Sequence, residues 1–120
     1  MKLVNLDTGE ILADRVVTAH SFFRRLRGRM FTKTFVQGSC LHLKPCRSIH
    51  TFFMNYAIDV LYLDAQQRIV GIEVHLQTGK TGAVYPNTKS VVELPAGSIE
   101  QQKTKIGQAV QFKNGSDCNG

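Results

Sequence analysis

The run I-D-V-L-Y-L-D at residues 58–64 constrains the fold more than any other stretch. Successive side chains of a strand point to opposite faces. Asp59 therefore shares a face with Leu61 and Leu63, while Ile58, Val60 and Tyr62 take the other. Both faces are apolar, as in a strand covered on both sides. The polar link A-Q-Q-R at 65–68 follows, and then Val70, Ile72, Val74 and Leu76 alternate against Gly71, Glu73 and His75. This pattern predicts a hairpin over 58–76.

Asp59 is the costly member of that run. A carboxylate taken out of water needs a partner. The preceding stretch, S-I-H-T-F-F-M-N at 48–55, holds His50 in equally apolar company. Residues 48–64 are thus either a core strand pair with two satisfied polar groups or the floor of a site.

Around this centre the chain reads as further short strands. Residues 2–6 and 11–17 flank D-T-G-E, a hairpin turn. Residues 40–43, 91–94 and 109–112 are strand-like, and 49–55 would be another. Thr18 reads as a helix N-cap. It precedes Ala19, Phe22, Phe23 and Leu26 at helical spacing, with Gly28 as the stop. Ser98 and Gln101 suggest a capping box for a short second helix near 99–103. Residues 77–90 carry Gly79, Gly82, Pro86 and Asn87 and read as a long surface loop. The expected fold is mainly β (α+β): one compact domain over 1–112, a partly closed barrel-like sheet, one amphipathic helix and a short second one. Residues 113–120 read as a disordered tail.

The 120 residues suit one domain, and no apolar run is long enough to span a bilayer. Three cysteines, with Cys118 in a polar tail, argue against a disulfide framework. A cytoplasmic, reduced setting is expected. The net charge of +6 favours anionic partners without specifying one.

Four ordered motifs resemble one family. They are R-L-R-G-R-M-F from Arg25, H-T-F-F-M from His50, the run from Ile58, and E-L-P-A-G from Glu93. Together they resemble the bacterial and archaeal family called domain of unknown function 192. The resemblance implies a compact β-rich domain and no particular activity. It matches Arg25, Gly28, Met30, Phe53 and Met54 to the family pattern, with Asn55 where many members carry lysine.

Three functions follow from these residues. The first is a non-enzymatic binding module for a small anionic or polar ligand, or a protein. Its pocket would be lined by Arg25, His50, Met54 and Asp59, with 77–90 as a lid. Arginine suits a buried carboxylate because its fork stays charged. The second is an enzyme with His50 and Asp59 as acid and base. The third is phosphate or nucleic-acid binding through Arg24, Arg27, Arg29 and Lys33. The plain alternatives are a buried ion pair at Asp59, or an Asp59 that only caps the turn at 55–57, and a solvated helix face for the arginines. Cys40, His42, Cys46 and His50 do not match a common zinc spacing, so no metal and no cofactor are expected. Glu93, Pro95 and Gly97 read as structural: a strand end and a flexible step before Ser98.

Overall fold

The structure is a computed structural model that describes residues 1–19, 35–48 and 56–114. Its elements are β1 (Lys2–Asn5), β2 (Ile11–Ala13), β3 (Arg15–Ala19), β4 (Ser39–Leu43), β5 (Ile58–Leu63), β6 (Ile69–Leu76), β7 (Ser90–Pro95), a short helix α1 (Ser98–Gln101) and β8 (Val110–Lys113). The strands form two sheets, ordered β2-β1-β8 and β3-β4-β7-β5-β6. All pairings are antiparallel except β3 with β4.

The hairpin predicted from 58–76 is present as β5 and β6. β5 also pairs with β7, from Ile58 opposite Pro95 to Leu63 opposite Ser90. Every residue of β5 and β7 is buried. The apolar character of both β5 faces is explained by two separate cores. Leu61, Leu63, Val92 and Leu94 meet Leu3, Leu12 and Val110 of the smaller sheet. On the opposite face Ile58, Val60, Tyr62 and Val91 pack with Phe35, Leu41 and Leu43. The sheets lie as layers and do not close into a barrel, so the expected partial closure is too strong a description.

Two local expectations fail for the same reason. Residues 11–17 are not one strand: the chain breaks at Asp14, whose N–H and that of Arg15 both donate to the Gly38 carbonyl, at 2.9 and 3.2 Å. β2 stays with β1, and β3 joins the other sheet. Thr18 is not a helix cap but a strand residue paired with His42. Pairing with β4 along Val16 and Val17, both β-branched, outweighs the local capping signal. The helix expected beyond it, over residues 20–28, and the strand expected at 49–55 lie outside the described residues, as do 115–120. Lys113, assigned to the tail, belongs to β8 and pairs with Lys2. No helix among the described residues is long and apolar enough to cross a membrane.

Candidate functional site

Asp59 sits on the Leu61–Leu63 face, as its parity requires, and is fully buried. Its register explains its partners. Ile58 pairs with Leu76 but Val60 pairs with Glu73, so Val74 and His75 together oppose Asp59. This is a β-bulge. His75 takes the left-handed conformation there (φ 52°), and its N–H donates to Asp59 Oδ1 at 2.9 Å. Oδ2 accepts from the N–H groups of Gly97 and Ile99, both at 3.0 Å. Those are the cap and an early residue of α1, where backbone donors have no partner inside the helix. Asp59 therefore caps α1 from a distant strand. The Ser98 hydroxyl, expected to cap, donates instead to the Pro95 carbonyl at 2.6 Å. With both oxygens holding backbone, the carboxylate works as a brace.

A second polar cluster lies on the opposite face of the sheet. The Tyr62 hydroxyl donates to Glu73 Oε1 at 2.5 Å, and the same oxygen accepts from the Ala83 N–H at 2.9 Å. Burial, reinforced by the Glu73 carboxylate, pushes the Tyr62 hydroxyl pKa well above the ordinary tyrosine range. The Tyr85 ring packs against Tyr62 at a tilt, with centroids 4.6 Å apart and planes 44° apart. Its hydroxyl donates to the Ile72 carbonyl at 3.1 Å. Gly71 is what lets the ring lie this close: a Cβ there would come within 2.3 Å of it. The second half of the 77–89 loop is thus tied to the sheet at Ala83 and at Tyr85.

That tie builds a cleft of about 270 Å³. Its floor is the turn Tyr85–Pro86–Asn87–Thr88. The Thr88 hydroxyl donates to the Tyr85 carbonyl at 2.7 Å, and Asn87 has φ 70°. Proline second and a left-handed third residue are the pattern of a type II turn. The next residue, Lys89, is held on both sides of its backbone. Its N–H donates to the Leu63 carbonyl at 2.7 Å, and its carbonyl accepts the Cys46 N–H at 3.0 Å. The latter bond brings Arg47 beside Lys89, and both residues line the cleft. Both residues are exposed, and among the described residues no acidic side chain joins them. The arrangement is a hydrogen-bonded backbone frame carrying two exposed cations.

The other singled-out residues fall elsewhere. Arg25, His50 and Met54 lie outside the described residues, as do Arg24, Arg27, Arg29 and Lys33. Asp59 and the cleft stand at opposite ends of β5, roughly 13 Å apart at 3.3 Å per residue. Cys40 and His42 face the core between the sheets, whereas Cys46 packs on the other core. Burial pushes the Cys40 thiol up to about 12, which leaves it unreactive. No group of three metal-binding side chains converges among the described residues. Glu93, read as part of a structural strand end, is fully buried in β7 between Leu41 and Val60. The signal that singled out Asp59, an acid alternating through an apolar strand, was equally present in V-V-E-L-P. The cleft residues carried no such signal, because each is an ordinary loop residue until the turn and the strand ends place them together.

Comparison with known proteins agrees with this architecture. A UPF0127 protein of Thermococcus sibiricus is 31% identical over 120 residues, covering 92% of this chain and 74% of that protein. A protein of unknown function from Novosphingobium aromaticivorans has the same fold, with a TM-score of 0.74 at 14% identity over 92% of this chain and 82% of that one. So does a provisionally assigned transcription regulator from Sinorhizobium meliloti, at a TM-score of 0.71 and 15% identity over 92% of this chain and 89% of that one. The family model of domain of unknown function 192, described as an uncharacterized ACR, matches residues 4–112, and the chain belongs to that family.

Proposed function

We propose that the protein is a non-enzymatic binding domain for a small polar or anionic ligand, and that the ligand sits in the cleft beside Arg47 and Lys89. The observation that carries this reading is the preformed frame. The turn, the Lys89 backbone and Tyr85 are all fixed before any ligand arrives, so little ordering entropy is lost on binding. Two cations, with no acidic side chain lining the cleft among the described residues, then supply the attraction. Acid–base catalysis through Asp59 is disfavoured, because its oxygens already accept three backbone N–H groups. Arg25, His50 and Met54 remain candidate ligand contacts under this reading, to be tested by substitution. The test is an amide chemical-shift titration of labelled protein with small carboxylates and inorganic phosphate at low ionic strength, where exposed charges are least screened. Saturable shifts at Arg47 and residues 84–89 are expected. No saturable shift with any of these anions would remove the reading.

A further inference from the structure

We propose that the cleft selects a small organic carboxylate with a short aliphatic body over inorganic phosphate. This rests on the binding reading above and narrows it to a ligand class. The cleft is two-sided. Arg47 and Lys89 supply charge, while Val84, Tyr85 and Pro86 line the same space. Val84 is 77% exposed, so its apolar surface is open to a ligand. The arginine fork matches a carboxylate with two parallel hydrogen bonds, and lysine adds a point charge.

Size points the same way. The cleft, about 270 Å³ and open to solvent, has room for more non-hydrogen atoms than a phosphate ion carries. Phosphate has five and would leave the apolar wall wet. A carboxylate with a four- to six-carbon chain reaches past the charged end and covers Val84 and Pro86.

A homologous series tests this directly. Dissociation constants for acetate, butyrate, hexanoate, hexanamide and inorganic phosphate are measured from the shifts of residues 84–89. Each methylene laid on an apolar wall should tighten binding between about twofold and fourfold, the upper figure being full burial. Hexanoate should therefore bind at least tenfold tighter than acetate, and tighter than phosphate. Val84→Ser should flatten the chain-length trend while sparing acetate. Arg47→Gln should weaken every acid in the series. Both substituted positions are exposed, and unchanged thermal midpoints confirm folding. A flat series, or phosphate matching hexanoate, overturns the carboxylate assignment and leaves the binding domain standing. Hexanamide binding as tightly as hexanoate overturns the need for charge. Silence from every probe removes both proposals.

Discussion

At the residue scale, Asp59 shows how an internal acid can be structural. Its carboxylate joins three backbone N–H groups that are 16, 38 and 40 residues away in sequence. Asp59→Asn should cost about 2–3 kcal/mol, because the new NH₂ turns a donor toward backbone donors that lose their acceptor. Urea unfolding measures it, and a loss below about 0.5 kcal/mol would mean the brace is dispensable. The sequence parity correctly set Asp59 on the Leu61–Leu63 face. It could not show the partners, because backbone N–H groups belong to every residue and leave no mark in side-chain identity. Glu93 is masked as a buried acid for a different reason: Pro95 and Gly97 beside it carry strong strand-end and turn signals.

Elements were legible where periodicity and pairing agreed. The β5–β6 hairpin follows from alternation, and β4 and β7 from short strand-like runs stopped at Lys44-Pro45 and at Pro95. Thr18 and Ser98 were misread because each carries a real capping preference that tertiary contacts overrode. Thr18 joined β4, and the cap expected of Ser98 came from Asp59. The 77–89 loop was recognised by its glycines and proline, but its attachment was not. Glu73 accepts from Tyr62 and Ala83, two residues on separate segments. Glu73→Ala should leave both donors without that acceptor and release the loop. Hydrogen exchange at Ala83 should speed at least tenfold, while exchange at the Ile99 amide stays unchanged. Equal rates at Ala83 in both proteins would show that Tyr85 alone holds the loop.

At the scale of the whole molecule, the two sheets meet around His42. Its ring stacks on Phe112 of β8, with centroids 4.2 Å apart and planes 21° apart. Its Nε2 has no hydrogen-bond partner among the described residues. Burial, assisted by Lys44, pushes its pKa from the ordinary 6.5 down to about 4. The folded protein therefore keeps this ring neutral where the unfolded chain protonates it. The stabilisation is complete above pH 6.5 and is lost as pH falls toward 4. The loss amounts to about 3 kcal/mol over that window. His42→Phe keeps a ring on Phe112 and removes the proton, so its unfolding free energy should fall by about 3 kcal/mol less between pH 7 and pH 4. Parallel pH profiles for the two proteins would place the acid sensitivity elsewhere.

The sequence by itself determined the β character, the central hairpin, the burial of Asp59 and the family. All of these depend on side-chain identity and spacing, which are local. Tertiary structure decided the split into two sheets, the parallel β3–β4 pairing, the cap on α1 and the cleft at Arg47 and Lys89. Each of these is made by backbone hydrogen bonds or by residues from separate segments, and those partners meet only once the chain has folded.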